Sequence, residues 1–121
     1  MLACCLAQEY DGNWQVVIYN SCVKQVLRFD HPRVKIINAP VRLPSLGQCR
    51  NAAIEACDYE HIVTADSDDA LLSNHLSNYA RGFDGGWQWV HQSVQYYAVG
   101  NTIKDIVKGT LNKVAFRKSA W

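Results

Sequence analysis

The chain has 121 residues, of which 49% are hydrophobic and 19% charged. That is one domain's worth, spanning 1–121, with too much apolar content and too little net charge for a disordered chain. Twelve Lys and Arg against eleven Asp and Glu leave a formal +1, so charge makes no case for a nucleic-acid partner or a membrane surface.

Residues 2–8 read as a short apolar helix. The longest uncharged apolar run, residues 1–7, is too short to span a bilayer, so no membrane span is expected. It lacks basic residues ahead of it, and Gln8-Glu9 follow at once, which is unlike a secretory leader. The β-branched run Gln15-Val16-Val17-Ile18-Tyr19 predicts a strand between the turn signals Asp11-Gly12-Asn13 and Asn20-Ser21. Val23, Val26 and Leu27 at helical spacing predict a short helix over 21–29, and Val34-Lys35-Ile36-Ile37 predicts a second strand. The strongest helix signal covers 45–57, with Ser45 as N-cap and Leu46, Cys49, Ala53, Ala56 and Cys57 on one stripe. A third strand is expected over 61–65 and a helix over 71–79.

From Gly85-Gly86 onward Trp, Tyr, Val and Gln dominate, and 87–99, 102–107 and 112–117 read as antiparallel strands. Strands alternating with helices imply an α/β fold. The expected architecture is a Rossmann-like, mostly parallel sheet flanked by helices, with ligands gathered at the carboxyl edge of its strands and an antiparallel segment at the C-terminus. No G-x-G-x-x-G or P-loop specifies a nucleotide. Cys4, Cys5, Cys22, Cys49 and Cys57 are odd in number and contain no C-x-x-C pair. They read as small hydrophobes in a reducing compartment, and a cytoplasmic location is the expectation.

The acidic run Asp66-Ser67-Asp68-Asp69 directly follows an apolar strand. Three carboxylates within four positions repel one another unless a cation or hydrogen-bond donors compensate. At the carboxyl edge of a sheet they suit a hard cation, Mg2+ or Mn2+, that keeps positions open for water or phosphate oxygens. The competing reading is a solvated loop in which Asp69 caps the next helix. Arg50 falls on the apolar stripe of its helix, between Cys49 and Ala53, where a guanidinium must snorkel or meet an anion. A carboxylate-held metal, a guanidinium and a helix N-terminus outline a diphosphate site. A salt bridge between Arg50 and an aspartate is the plainer reading. A calcium EF-hand is excluded, because the sixth loop position is not Gly and the twelfth is not Glu. A phosphatase of the haloacid dehalogenase type fits poorly, since its D-x-D usually sits near the N-terminus.

Three segments in order carry a resemblance: Leu6-Ala7-Gln8 through Asn13-Trp14-Gln15-Val16-Val17-Ile18, then Gly47 with Arg50-Asn51-Ala52-Ala53-Ile54, then Ile62-Val63-Thr64 with Asp66-Ser67-Asp68-Asp69. Together they resemble the family 2 glycosyltransferases of GT-A fold, and Val114-Ala115-Phe116-Arg117 resembles a later strand of that family. The resemblance implies inverting transfer of a sugar from a UDP-sugar to an acceptor hydroxyl, with UDP-glucose the first donor to test. It further implies Asp68 as ligand of a Mn2+ or Mg2+ cofactor, Asp66 beside it near the ribose, Arg50 by the base or phosphates, and Asn20 at a base-recognising position. A nucleotide-sugar-binding module with little transfer is the alternative.

The family opens with a strand and a P-x-Y-N turn before the Leu-Ala-Gln helix, whereas Met1 here begins inside that helix. Neighbouring strands or another chain would then fill the sheet, and a homo-oligomer is one expectation. Asn20-Ser21 replaces the family's Asp-Asp, and the sequence stops at Trp121, where the family continues to the acidic segment that supplies its general base. Inversion needs a base within reach of the attacking hydroxyl, and Asp69, His91 and Asp105 are the available substitutes. Trp87-x-Trp89-Val90-His91 can form a sugar platform, although a half-buried strand with a satisfied histidine is the commoner outcome. Tyr96, Tyr97 and Trp121 can stack on a base or sugar, against a default of packing. The acceptor itself is not legible.

Overall fold

Local cues in the chain set most of its elements, and long-range pairing sets their neighbours. The computed structural model describes residues 1–91, 94–99, 102–108 and 114–121, with 94–99 and 102–108 described by backbone alone. In chain order the elements are α1 (Leu2–Leu6), β1 (Val16–Asn20), β2 (Val34–Asn38), α2 (Leu46–Glu55), β3 (His61–Val63), α3 (His75–Asp84), β4 (Trp89–His91), β5 (Val94–Val99), β6 (Thr102–Lys108) and β7 (Val114–Arg117). A single 3-10 turn follows at Lys118–Ala120. The chain forms two compact units, Asp11–Glu60 on the one hand and Met1–Tyr10 with His61–Trp121 on the other.

Within the unit Asp11–Glu60, β1 and β2 run parallel, in register from Val16 opposite Val34 to Asn20 opposite Asn38. The expected helix over 21–29 does not form, and residues 21–33 cross between the strands without one. The reason lies in two asparagines at the strand ends. Asn20 Oδ1 accepts the Cys22 N–H at 3.0 Å, and Asn20 Nδ2 donates to the Gln25 carbonyl at 2.6 Å and to Asn38 Oδ1 at 2.9 Å. Asn38 in turn binds both backbone groups of Leu27, accepting its N–H at 2.9 Å and donating to its carbonyl at 3.1 Å. Side chains that bind loop backbone in this way compete directly with helical hydrogen bonds. Val23 and Val26 remain exposed, so no apolar face was available to favour a helix.

Helix α2 starts where its cap predicts. Ser45 has extended backbone and its Oγ accepts the Gln48 N–H at 3.2 Å. The helix packs on β1. Of the expected stripe, Cys49, Ala53, Ala56 and Cys57 are partly covered, with Ala52 beside them and Ile54 buried, whereas residues 46–48 are exposed, Leu46 at 66%. Arg50 is exposed, as a snorkelling guanidinium is. Cover begins deeper along the helix axis than periodicity alone can tell. At the other end, Lys35 Nζ donates to the Ala56 carbonyl at 2.8 Å and pairs with Asp58 at 2.9 Å. A cation at the C-terminus of α2 answers its orphan carbonyls.

In the other unit β7 lies between β3 and β4 and is antiparallel to both, with Ile62 and Trp89 each opposite Phe116. The α/β class is as expected. Parallel pairing, however, is confined to β1 and β2 among the described strands, because β7 returns from the tail to pair with β3. Strand β3 is also shorter than 61–65. The Thr64 N–H extends the ladder by one bond to the Val114 carbonyl at 3.0 Å, after which the chain leaves the sheet. Ala115 and Phe116 have no exposed surface. Of the expected strand over 87–99, Trp89–His91 form β4 and Val94–Val99 form β5, with 92 and 93 outside the described residues. Strands β5 and β6 form an antiparallel pair with a register shift between Gln95 and Tyr97. Residues 112 and 113, expected to open the last strand, lie outside the described residues.

Helix α3 begins four residues later than the expected 71 and runs past 79 to Asp84. His75, Tyr79 and Phe83, spaced by four, form its buried stripe, and Tyr79 and Phe83 cluster with Ala115, Val63 and Val90. Gly86, at φ +85°, ends it. Asn74 makes no side-chain cap. Its role falls to Gln8, whose Oε1 accepts the Leu76 N–H at 2.9 Å while Nε2 donates to the carbonyls of Leu72 at 2.8 Å and Cys4 at 2.9 Å. The adjacent Glu9 N–H reaches the Ser73 carbonyl at 2.7 Å.

Two outcomes follow for stability. Replacing Gln8 by Leu leaves buried backbone groups without their partner and is expected to cost about 2–4 kcal/mol, read as a lower urea midpoint with unchanged slope. At Gly82 an added Cβ would lie 2.6 and 2.9 Å from the two Val90 methyl carbons. Gly82→Ala is therefore expected to destabilise by about 1–2 kcal/mol despite better helix propensity, and the double variant Gly82→Ala with Val90→Ala should show a favourable coupling in the same denaturation assay.

Candidate functional site

The acidic residues form a closed turn at the end of β3. Asp69 Oδ2 accepts the Asp66 N–H at 2.8 Å, and the Asp69 N–H donates back to the Asp66 carbonyl at 3.1 Å. Asp69 thus acts as the local cap of this turn, a role that short acidic side chains take readily. Asp66 and Asp69 are partly buried, whereas Ser67 and Asp68 are exposed at the tip. One end of the turn is tied to the sheet by Thr64, whose Oγ1 also donates to the Val114 carbonyl at 3.0 Å. The other end leads through 70–74 to the Gln8 anchor.

Asn20 and Arg50 belong to the other unit. Both Asn20 amide hydrogens and one oxygen lone pair are engaged by the loop after β1 and by Asn38, as described above. Arg50 is exposed in the second turn of α2. Among the other named positions, His91 is exposed at the end of β4. Asp105 lies in β6, with its side chain outside the described residues, as are those of Tyr96 and Tyr97 in β5. The aromatic segment is organised differently from a continuous platform. Trp89 stacks on Phe116 at 5.0 Å, and Trp121 stacks on the same ring at 4.9 Å, so two partly exposed indoles pack against one buried phenyl. Trp87 is 67% exposed.

The profile of glycosyl transferase family 2 matches residues 1–117, nearly the whole chain. The chain belongs to that family. No curated protein and no solved structure matches it. Membership in glycosyl transferase family 2 carries sugar transfer as the general activity, between a nucleotide-sugar donor and an acceptor. Among the described residues no helix is long and apolar enough to cross a membrane.

Donor chemistry decides what kind of metal these residues fit. Among the described residues no group of three His, Cys, Asp or Glu side chains is assembled to hold a metal ion. Asp68 at the tip of the turn and Asp66 at its base are oxygen donors, the kind that suits a hard cation such as Mg2+ or Mn2+, whose remaining ligands come from water and phosphate oxygens. Gln8, which positions the helix after the turn, carries no chemical signature of a site. Only its place in the Leu-Ala-Gln segment marks it.

His75, the first residue of α3, is buried at 7% exposure with Nε2 unpartnered among the described residues, and its ring meets Tyr79 edge-on at 4.9 Å. Burial lowers its pKa from 6.5, and burial raises that of Tyr79 to about 12. The neutral imidazole is the form that the fold accepts. Above pH 6.5 the folded and unfolded states both hold it neutral. As pH falls through that value the unfolded chain takes up a proton that the fold resists, so stability declines. Urea midpoints measured from pH 7.5 down to pH 5 are expected to fall less steeply for His75→Leu than for the wild type.

Proposed function

We propose that the chain performs metal-dependent, inverting transfer of a sugar from a UDP-sugar, with UDP-glucose the first donor to test, to an acceptor hydroxyl. The observation that carries this reading is the turn at the end of β3. Asp69 closes it, and the exposed Asp68 stands at its tip with Asp66 at its base. Asp66 and Asp68 would hold the divalent cation, Mn2+ or Mg2+, and the bound ion supplies neutralisation of the charge that builds on the leaving diphosphate.

The chain's own groups supply positioning. Asp69 fixes the backbone of the turn, so that the two remaining carboxylates need little reordering when the donor arrives. Arg50, a planar and permanently charged guanidinium, suits phosphate oxygens. Asn20 contributes through the loop that it holds rather than as a fully open reader of a base. The base that takes the acceptor proton is to be sought among Asp69, His91 and Asp105.

Calorimetry of UDP and UDP-glucose with and without Mn2+ tests the proposal. Binding is expected only with the metal, and Asp68→Ala is expected to weaken it by roughly a hundredfold or more, since losing even a group that only orients a metal ligand costs about tenfold to a hundredfold. Undiminished nucleotide binding in the presence of a chelator overturns the metal-dependent reading. Metal-dependent binding with no product of inverted configuration, seen by NMR against a panel of acceptors, overturns transfer and leaves the binding module.

A further inference from the structure

Phe116, in the middle strand β7, is fully buried and carries two indoles that come from different segments of its unit. Trp89 stacks on it at 5.0 Å with planes 29° apart, and Trp121 at 4.9 Å with planes 21° apart. Indoles that sandwiched the phenyl would have centroids about 10 Å from each other, but these lie 6.4 Å apart. They stand side by side against one ring, and each residue leaves about half of its surface open, 48% for Trp89 and 59% for Trp121. Large aromatic side chains left open in this way mark interaction sites. We infer that the Trp89–Trp121 pair is a docking surface for a saccharide.

Two backbone devices hold the pair in place. The Arg117 N–H donates to the Gln88 carbonyl at 3.0 Å, which fixes the end of β7 beside the residue that precedes Trp89. The 3-10 turn at Lys118–Ala120 then redirects the chain, and the Trp121 N–H closes it on the Lys118 carbonyl at 3.1 Å. A surface ordered in advance loses little entropy when a ligand arrives. An indole offers a negative π-face to groups of partial positive charge, and the axial C–H groups of a pyranose ring are such groups.

Exposed area selects the occupant. The two indoles present roughly 250 Å², whereas a stable protein interface takes about 800 Å² from each partner. The pair is too small to hold a second copy of this chain, and it is of the right order for one or two sugar rings. Shape selects further. The indoles are inclined to each other by 39°, so one flat nucleobase cannot lie against both, whereas two linked sugar rings can take one each.

This surface is separate from the acidic turn. Phe116 lies opposite Ile62 and Arg117 opposite His61, so the indoles sit toward the amino-terminal end of β3. The acidic turn follows the other end of that strand, with Asp66 beyond Val63 and Thr64, up to about 13 Å from Ile62 at the rise of a strand. A saccharide docked on the indoles is gripped away from the reacting sugar, and its binding needs neither donor nor metal. The choice of a saccharide draws on the family's sugar transfer and not on metal-dependent donor binding.

The test is an NMR titration of the full chain with tetrasaccharides of glucose, xylose and N-acetylglucosamine, without donor or divalent metal. With at least one of them, saturable shifts are expected for the indole N–H signals of Trp89 and Trp121, at a dissociation constant on the order of a millimolar. The Trp14 indole signal should stay in place. Trp121→Ala should weaken the binding by roughly tenfold, and Trp121→Phe should keep most of it. Both variants alter a half-exposed residue, and their spectra report folding directly. Absence of shifts from all three tetrasaccharides, or binding that survives Trp121→Ala undiminished, overturns the inference. Shifts of the same indole signals with UDP alone overturn it in favour of a nucleobase. Self-association in sedimentation that Trp121→Ala abolishes overturns it in favour of a second copy. Asp68→Ala should bind the tetrasaccharide unchanged, so a failure of this surface and a failure of metal-dependent donor binding are read apart.

Discussion

Backbone groups left over at the ends of two helices meet at one buried amide, that of Gln8. The Cys4 carbonyl lies in α1, the Leu76 N–H opens α3, and the Leu72 carbonyl belongs to the segment that enters it. A side-chain amide has one acceptor and two donors on a rigid plane, so it can fix three partners only in one relative arrangement. The start of α3 is set by that arrangement. From there the spacing of four residues carries His75, Tyr79 and Phe83 down one face, and Tyr79 and Phe83 join Ala115 and Val63 in the core. The acidic turn is suspended between the two fixed points thus created, the Thr64–Val114 bond at its start and the Gln8 cluster at its end.

Polar residues that look chemical in a sequence turn out here to divide into two kinds. Asp69 and Asn20 hold backbone in place, Asp69 by closing the turn and Asn20 by clamping a loop with Asn38. Asp68 and Arg50 are exposed. The two kinds depend on each other, because an exposed charge is useful in a site only if its backbone is already placed. A side chain with several engaged hydrogen-bonding atoms supplies that placement without any chemistry of its own.

Much of this architecture could be read from local sequence, and the remainder could not for identifiable reasons. Ser45 announces α2 because a cap acts over three residues. The run Val16-Val17-Ile18 announces β1 because a β-branched run is a local property. The helix expected over 21–29 fails because its competitor, Asn38, is distant in sequence and its valines find no cover. Leu46 was expected on the covered stripe, yet periodicity gives an angle around a helix and says nothing about how far along the axis its cover reaches. The start of α3 was misplaced since its cap comes from Gln8, a separation of 68 residues. The order of β3, β7 and β4 was illegible for the same reason. The acidic run itself was plain in the sequence, while the assignment of Asp69 to closing the turn required the geometry.

The discontinuity of one unit has a consequence for how the chain is made. Residues 11–60 form their own unit between Tyr10 and His61, and β1, β2 and α2 draw on pairings close in sequence. All the residues of those pairings are present once that stretch has left the ribosome. Residues 1–10 emerge before that unit and yet must wait, since two of the groups that Gln8 binds arrive only with Leu72 and Leu76, and the strand that completes the sheet of β3 arrives later still. Synthesis at about 5–20 residues per second makes that delay several seconds long. For that interval the apolar segment containing Leu2, Cys5 and Leu6 lacks the later segments against which Gln8 fixes it.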